Sequence, residues 1–389
     1  MYILGTNNVP IIYMRGEEMK IGVPRERKTL EKRVAITPDG AHKLTQHGHE
    51  VLIENNAGLA VDFKNSEYEA AGCRIVDSLA EVWGESEMVV KVKEPHESEY
   101  EYFRPGLFLF DYLHLASMPE VATALVESGV TSIAYELVDE AGRLPLLEPM
   151  SEVAGKLSVL NGSYHLLSQN EGRGMLLGGT IGVERAKVTI VGAGIAGRAA
   201  CEMAFGMGAQ VYVFDLDNTK LDKIKAEFGN QVSTVYSTPK SLARCLENTD
   251  LLIGAVLVPG AAAPRVITRE MMKAMPKGSV FVDISIDQGG CAETSRPTSL
   301  DAPTYVEEEV IHYGVCNMPA QTARTSTLAL TNATLPYIVE LAKDGPMKAL
   351  EKSHSLREAL NTHKGKLTNE KVSQAVGIDY TPIAEALGL

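Results

Sequence analysis

The chain has 389 residues, of which 37 are basic and 50 are acidic, so its formal net charge is −13 with neutral histidines. This acidic balance argues against nucleic-acid binding, and no apolar run is long enough for a membrane-spanning helix. The length predicts two or three domains of ~150 residues each. The five cysteines are scattered and form no C-x-x-C pair, so we expect a reduced cytoplasmic chain without structural zinc. No group of histidines has the spacing of metal ligands, and no metal site is expected.

The first 18 residues do not resemble the rest of the chain. They lack the basic start, the long apolar core and the small-residue cleavage site of a secretory signal. Met19 begins a better first strand, so residues 1–18 are interpreted as a flexible extension or the product of an upstream start codon.

The first third of the chain alternates short apolar runs with helical patterns. Strands are predicted at 20–23, 51–54, 88–93 and 107–116. A turn is predicted at 38–40, followed by a helix through residues 41–47. Strands that alternate with helices indicate a parallel sheet covered by helices.

A second unit of the same kind begins near residue 146. Ser151 is a predicted N-cap of a long helix, and strands are predicted at 188–191, 251–256 and 279–285. A helix from Thr325 to Ala342, kinked at Pro336, should follow. The charged tail from residue 348 has a helical pattern with Thr368 as a cap. The predicted class is therefore α/β, with two doubly wound parallel sheets.

Residues 187–215 carry a dinucleotide-binding pattern. A strand leads into Gly192-x-Gly194-x-x-Gly197, a helical stretch follows, and a second strand ends at Asp215. Gly192 permits a tight turn, Gly194 lets the backbone approach a pyrophosphate, and Gly197 allows close packing of helix and strand. Asp215 would accept hydrogen bonds from a ribose diol and repel a 2′-phosphate, which favours NAD over NADP. The alternative is a plain glycine turn beside a solvated acid.

Several further stretches give the chain a resemblance to the alanine dehydrogenase family. They occur in order from Met19 to about residue 385 and include GVPRERKTLEKRVAITPDG, MVVKVKEP, FDYLHLA, PMSEVAGKLS, LLIGAVLVPGAAAP, VFVDISIDQGGCAETS and HYGVCNMP. The resemblance implies two Rossmann-like domains, with the dinucleotide domain (147–321) inserted into a discontinuous substrate domain (1–146 and 322–389). The catalytic cleft would lie between the domains.

Four residues gain a role from the resemblance that their local pattern does not supply. By pattern alone, Arg33 is a surface ion-pair partner, Lys93 shares a solvated strand face with Lys91, His114 is a core or cap residue, and Asp287 is a turn residue. The resemblance implies that Arg33 and Lys93 bind the substrate carboxylate. It also implies that His114 is the general acid/base and Asp287 a second catalytic acid near the nicotinamide.

The resemblance also implies contacts with the cofactor outside the glycine turn. These residues follow predicted strands or open a helix, where an apolar residue could equally serve packing and Ser151 could be a plain cap. They are Ser151, Lys220, Val256, Leu257, Ile284, Asp287, Asn317 and Met318.

The activity implied is NAD-dependent, reversible oxidative deamination of L-alanine to pyruvate and ammonia by a homohexamer. One alternative is the NAD(H) domain of a transhydrogenase, a related family that works with a membrane partner and lacks the histidine of YLHLA. The other is a binding module that retains the fold without catalysis, against which the four intact candidate residues argue. The sequence leaves open the physiological direction and side activity on serine, glycine or 2-aminobutyrate.

Overall fold

The structure, a computed structural model, describes residues 18–257 and 262–389. The predicted extension at residues 1–18 therefore lies, except for its last residue, outside the described residues. The strands are β1 (Lys20–Val23), β2 (Glu50–Glu54), β3 (Arg74–Val76), β4 (Met88–Val90), β5 (Phe108–Asp111), β6 (Thr131–Ala134), β7 (Lys187–Val191), β8 (Gln210–Asp215), β9 (Ser233–Tyr236), β10 (Leu251–Gly254), β11 (Val280–Asp283), β12 (Thr304–Glu307), β13 (Val310–Tyr313), β14 (Leu360–His363) and β15 (Lys366–Leu367).

Helices connect most of the strands, as a parallel sheet requires. They are α1 (Pro38–Gln46), α2 (Asn65–Ala70), α3 (Leu79–Glu85), α4 (Pro119–Ser128), α5 (Glu148–His165), α6 (Ile195–Gly206), α7 (Asn218–Phe228), α8 (Pro239–Leu246), α9 (Arg269–Lys273), α10 (Ala323–Asp344), α11 (Pro346–Lys352), α12 (His354–Glu358), α13 (Glu370–Val376) and α14 (Ile383–Leu387).

The chain divides into two compact units. The first unit contains the residues up to Arg143 together with Leu330–Leu389, and the second unit contains Leu144–Ala329. Helix α10 runs through the second point of division, so each unit contains one end of this helix.

The first unit is built on an eight-stranded sheet in the order β15-β14-β6-β5-β4-β1-β2-β3. Strands β1 to β6 are parallel, and their order reverses between β1 and β4. Strand β14 pairs antiparallel with β6 and extends the sheet. Such a reversal opens a crevice at the carboxyl ends of the strands, where open α/β sheets bind ligands.

The second unit repeats this winding in a seven-stranded sheet, in the order β12-β13-β11-β10-β7-β8-β9. All neighbours are parallel except β12, which pairs antiparallel with β13. The strand order reverses between β7 and β10. The predicted α/β class with two Rossmann-like doubly wound sheets is confirmed.

Both sheets are buried by helices on their faces, and their strands are accordingly continuous apolar runs. In the first unit Val89 and Leu109 are completely buried, and in the second unit Val188, Ile190 and Val280 are. Burial of each such side chain contributes about 1.5–3 kcal/mol, and the two cores fix the strand ends from which the functional residues emerge.

Two local predictions about helix and turn boundaries are wrong. The predicted turn at 38–40 is the first turn of α1, since Pro38 is its first residue and Thr37 caps it. Helix α5 begins at Glu148 with Pro149 in its first turn, so Ser151 lies inside the helix and is not its N-cap. Proline suits the first turn because the missing N–H would have no helical partner there.

The charged tail is less helical than its pattern suggests. Residues 360–363 and 366–367 form β14 and β15. The helix that follows is capped by Asn369, whose side chain accepts a hydrogen bond from the Val372 N–H, so Thr368 is not the cap. Pairing with β6, a strand more than 220 residues earlier in the sequence, overrides the local pattern.

Candidate active site

The residues predicted to bind or act on the substrate follow the carboxyl ends of strands in the first sheet. Arg33 follows β1, Lys93 follows β4 and His114 follows β5, three strands that are adjacent in the sheet. The segments after β4 and β5 continue side by side, since Lys91 N–H donates to Phe110 O at 3.2 Å and Tyr112 N–H to Val92 O at 3.4 Å. The structure therefore brings Lys93 and His114 to the same carboxyl edge, beside the reversal of strand order. Arg33 interacts electrostatically with Tyr112, which places it near these two residues.

Arg33 is buried, with 2% of its surface exposed, and is not a surface ion-pair partner. Its Nε donates to Glu31 Oε1 at 2.7 Å, and its Nη2 donates to Glu31 Oε2 at 2.5 Å. Burial disfavours the guanidinium charge, but the bonds and attraction of Glu31 outweigh burial and raise the pKa of Arg33. Glu31 thus fixes the plane of a permanently charged guanidinium, the geometry that carboxylate recognition needs.

Lys93 is held in a second buried ion pair. Its Nζ lies 2.9 Å from Glu94 Oε2, and the other carboxylate oxygen of Glu94 accepts from Lys28 Nζ at 2.5 Å. Burial alone would raise the pKa of Glu94, but Lys93 and Lys28 lower it to about 2. Glu94 is therefore ionised at neutral pH and keeps the ammonium of Lys93 in place.

The predicted solvated face for Lys91 and Lys93 is wrong. Strand β4 ends at Val90, and Lys91 is 1% exposed. Its Nζ lies 2.9 Å from Glu99 Oε1 and 3.4 Å from Glu26 Oε2. Lys91 is thus a buried cation held by two acidic side chains. Burial raises the pKa of Glu26 to about 7, although the positive charge of Lys91 acts in the opposite direction.

His114 occupies a distinctive backbone position. It lies three residues beyond the end of β5 with φ 47° and ψ 37°, in the left-handed region. Its ring stacks parallel to that of Tyr112 at a centroid distance of 5.8 Å. The side chain is 37% exposed and its Nδ1 lies 3.7 Å from Glu136 Oε1. The imidazole is thus partly accessible beside a carboxylate, an arrangement suited to proton transfer.

The glycine turn of the second unit has the geometry its spacing predicts. Gly192 has φ +107°, and a Cβ there would lie 2.3 Å from Ala255 O. A Cβ on Gly197 would lie 1.8 Å from Gly192 O, so helix and turn are in direct contact. A Cβ on Gly194 would meet no atom within 4 Å. Gly194 therefore borders open space at the start of α6, where free N–H groups can bind phosphate.

Asp215 ends β8 beside this turn. Its Oδ2 accepts from Ala193 N–H at 2.6 Å, and its Oδ1 accepts from Asp217 N–H at 2.8 Å. The carboxylate thus ties the end of β8 to the glycine turn. The same position is the one from which a ribose diol would be bound.

Asp287 lies in a loop that a buried carboxylate organises. Asp283, the last residue of β11, accepts from Ser285 N–H and Cys291 N–H, each at 3.0 Å. It also accepts from Ser295 Oγ at 2.5 Å, and burial raises its pKa. Within this loop Asp287 is exposed, and its Oδ1 accepts from the Asn317 N–H at 3.2 Å.

The remaining residues predicted to contact the cofactor lie near the carboxyl ends of the strands of the second sheet. Val256 and Leu257 follow β10, and the Val256 N–H donates to Ser285 Oγ at 3.0 Å. Ile284 follows β11 and is half-buried, whereas Lys220 is exposed in the first turn of α7. The others are Asn317 and Met318 after β13, and half-buried Ser151 in the first turn of α5.

Sequence reasoning missed the carboxylates that hold the predicted residues. Glu31 and Glu94 are close in sequence to Arg33 and Lys93, so an acid beside a candidate cation was an available signal. For Glu136 and Asp283 the sequence signal was weaker, since it consisted only of an acid at or just after the end of a buried strand. Their partners are defined by strand order, which a single sequence does not specify.

Within residues 18–257 and 262–389, no cluster of three or more histidine, cysteine or acidic side chains is arranged to hold a metal ion. Over the same ranges, no helix combines the length and apolar character needed to cross a membrane.

Two doubly wound sheets, one of which carries a glycine turn at the start of a helix, place the chain in the class of Rossmann-type α/β proteins. Models of the N-terminal and C-terminal domains of "Alanine dehydrogenase/PNT" match residues 22–154 and 158–370. The chain belongs to the alanine dehydrogenase/PNT family.

Individual relatives agree with this assignment. Alanine dehydrogenase of Bacillus subtilis (strain 168) is 50% identical over 370 residues, covering 95% of this chain and 98% of the relative. Alanine dehydrogenase of Staphylococcus haemolyticus (strain JCSC1435) is 48% identical over 95% of this chain and 99% of the relative. A solved L-alanine dehydrogenase superposes with a TM-score of 0.89 at 45% identity, covering 92% of this chain and 99% of that one.

A transhydrogenase from Sinorhizobium meliloti superposes with a TM-score of 0.76 at 24% identity, covering 90% of this chain and 99% of that one. At this identity the likeness concerns the fold alone.

Proposed function

We propose that the protein catalyses the NAD-dependent, reversible oxidative deamination of L-alanine to pyruvate and ammonia. The observation that carries the proposal is the joint position of Arg33, Lys93 and His114 at the carboxyl ends of adjacent strands. This edge supplies two cations and an imidazole, which is what an amino acid needs for binding through its carboxylate and for proton transfer at its amine. High identity to alanine dehydrogenases over 95% of the chain supports the choice of substrate.

The substrate would be bound by its carboxylate. Arg33 offers a planar guanidinium whose orientation Glu31 fixes, and Lys93 adds an ammonium held by Glu94. Because both cations are already immobilised, binding requires little further ordering of side chains. We infer that this clamp orients Cα–H for hydride transfer.

The second unit supports NAD as the cofactor. The open space beside Gly194, the positive φ of Gly192 and the start of α6 fit a pyrophosphate, and the Asp215 carboxylate fits an unphosphorylated ribose. Bound NAD would accept the hydride from Cα at its nicotinamide ring. Ser151, Lys220, Val256, Leu257, Ile284, Asn317 and Met318 are proposed to line the nucleotide.

Proton transfers complete the reaction. The substrate amine first loses a proton to solvent, and loss of hydride from Cα then leaves an iminium. Water adds to this iminium while His114 accepts a proton. Collapse of the resulting carbinolamine releases ammonia and leaves pyruvate, and we assign the proton transfers of this step to His114 and Asp287. Pyruvate, ammonium, NADH and one proton balance the consumption of alanine, NAD and water.

We also propose a cytoplasmic homohexamer. All five cysteines are free thiols, which suits a reducing compartment. Leu176, Ile181 and Val183 are exposed within one short segment, and exposed apolar side chains of this kind are typical of subunit contacts. The mass of the purified protein in solution tests the oligomeric state.

The direct test is NADH absorbance with purified protein, NAD and L-alanine. We expect rapid formation of NADH with L-alanine and much slower formation with NADP. Serine and 2-aminobutyrate should react ~10–200-fold more slowly, because a pocket for a methyl group discriminates weakly against a small addition. Glycine and lysine serve as further controls. Absence of NADH formation with L-alanine at saturating concentrations would refute the proposal.

A further inference from the structure

Glu136 occupies an unusual place beside His114. It lies two residues beyond the end of β6, in the 3-10 turn Tyr135–Leu137, and β6 is the parallel neighbour of β5. Its Oε1 accepts from the His114 N–H at 2.7 Å, and its Oε2 accepts from the Leu113 N–H at 3.2 Å. One carboxylate thus binds two successive backbone amides of the segment that carries the imidazole.

These two bonds act on a residue in the left-handed backbone region. His114 has φ 47°, a conformation that residues other than glycine adopt infrequently and that surrounding contacts must hold. Glu136 provides such contacts through the amide of His114 itself and the amide before it. Stacking on Tyr112 holds the ring from another side.

The same carboxylate faces the imidazole. Glu136 Oε1 lies 3.7 Å from His114 Nδ1, which is an electrostatic contact rather than a hydrogen bond. A negative charge at this distance favours the protonated imidazole and orients the Nδ1 edge of the ring toward itself. Nε2, on the opposite edge, is the nitrogen we assign to proton exchange with substrate.

The other titratable groups near His114 and Glu136 do not place a second negative charge beside the imidazole. Burial raises the pKa of the Asp111 carboxyl well above its usual range, which favours its neutral form. Burial likewise raises the pKa values of the phenols of Tyr112 and Tyr135, and the charge of Arg33 is paired with Glu31. Among these described neighbours, Glu136 is the carboxylate placed to act on the imidazole.

We propose that Glu136 is the positioning residue of His114, setting both the backbone conformation and the charge of the imidazole through one carboxylate. The inference rests on the proposed function, because it concerns the acid/base of that reaction. It adds a residue to the machinery that neither the glycine pattern nor the candidate cations indicate.

The test compares the full-length wild type with Glu136→Gln, Glu136→Asp and the control Glu127→Gln, which removes an exposed carboxylate on α4. The measurements are kcat and KM for L-alanine as a function of pH, NADH affinity by fluorescence, and thermal unfolding. For Glu136→Gln we expect kcat to fall roughly tenfold or more, with KM for alanine and NADH affinity within about twofold of wild type. The acid limb of kcat/KM should move to lower pH by about 0.5–1 unit, because the imidazolium loses a stabilising charge.

Glu136→Asp keeps the charge but withdraws it from the backbone amides. We expect the kcat of this variant to fall, while the acid limb of its kcat/KM profile stays closer to that of wild type. The comparison separates the effect of the charge of Glu136 from the effect of its hydrogen bonds to the backbone. If Glu136→Gln does not fold, Glu136→Asp decides alone, and a wild-type kcat in this variant overturns the proposal.

Two further results would overturn it. Glu136→Gln could behave like Glu127→Gln, or it could lose activity only in proportion to its folded fraction with the acid limb unmoved, which would make Glu136 merely structural. Either result leaves the proposed function intact, provided that wild type reduces NAD with L-alanine. A wild type that is inactive with alanine refutes the proposed function and this inference together.

Discussion

At the scale of single residues, the candidate site of the first unit is organised by acids placed beside its cations. Arg33 is paired with Glu31 and Lys93 with Glu94, and both pairs are buried. A buried cation without a partner would lose its charge or destabilise the fold, so each acid keeps its cation both charged and fixed. The substrate carboxylate would then join clamps that already exist.

In the proposed function, the choice between NAD and NADP depends on the charge of Asp215. Asp215→Asn removes the charge that would repel a 2′-phosphate while keeping one oxygen to accept a bond from the glycine turn. We expect the ratio of kcat/KM for NADP to that for NAD to rise about tenfold or more, equivalent to about 1.4 kcal/mol. Steady-state kinetics with both nucleotides measure this ratio.

The matched control is Asp222→Asn, which neutralises an exposed acid on the following helix. Its ratio should equal that of wild type. If Asp215→Asn also leaves the ratio unchanged, Asp215 does not select the cofactor.

At the scale of elements, two glycines of the segment from β7 into α6 serve different purposes: Gly197 allows close packing, and Gly194 is proposed to allow binding of the pyrophosphate. A Cβ on Gly197 would overlap Gly192 O, whereas a Cβ on Gly194 would enter open space. We therefore expect Gly197→Ala to lower the melting temperature clearly. Gly194→Ala should melt near wild type but bind NADH at least tenfold more weakly, because its methyl group occupies the approach of the pyrophosphate.

Gly206→Ala is the control within the same helix. A Cβ there also meets no atom within 4 Å, but Gly206 is the last residue of α6, at the end opposite the turn. This variant should bind NADH normally and be as stable as wild type or slightly more so. Equal NADH affinity of Gly194→Ala and Gly206→Ala would contradict the assignment of a pyrophosphate to the turn.

Elements whose signals are local could be predicted from the sequence, and those set by distant partners could not. The run from β7 through the glycine turn to Asp215 needs only residues 187–215, and its strands and helix are confirmed. The start of α5 was misplaced because Pro149, inside the first turn, determines the boundary more strongly than Ser151. Strand β14 was missed because its partner, β6, lies far away in sequence.

The same distinction applies to the candidate site. The types and spacing of Arg33, Lys93 and His114 were visible in the sequence, but their burial was not. Lys91 looked like half of a solvated face, and only Glu26 and Glu99, brought in by other segments, account for its burial. The roles of all these residues in catalysis remain predictions.

At the scale of the whole molecule, both units use the same doubly wound order of parallel strands. Both units reverse strand order between their first and fourth strands, and both place their candidate residues after the carboxyl ends of the strands. The candidate residues differ in chemistry. They are two cations and an imidazole in the first unit, and glycines and an acid at the end of a strand in the second. In the proposed function, the amino acid would bind to the first unit and the nucleotide to the second.

In the proposed reaction, hydride passes from Cα of alanine to the nicotinamide. The most direct measurement follows deuterium from L-alanine labelled at Cα, with unlabelled NAD and purified wild-type protein, by mass spectrometry or NMR of the NADH formed. We expect deuterium on C4 of the nicotinamide ring and an equal amount of pyruvate. NADH without deuterium, or no NADH at all, would contradict the proposed reaction.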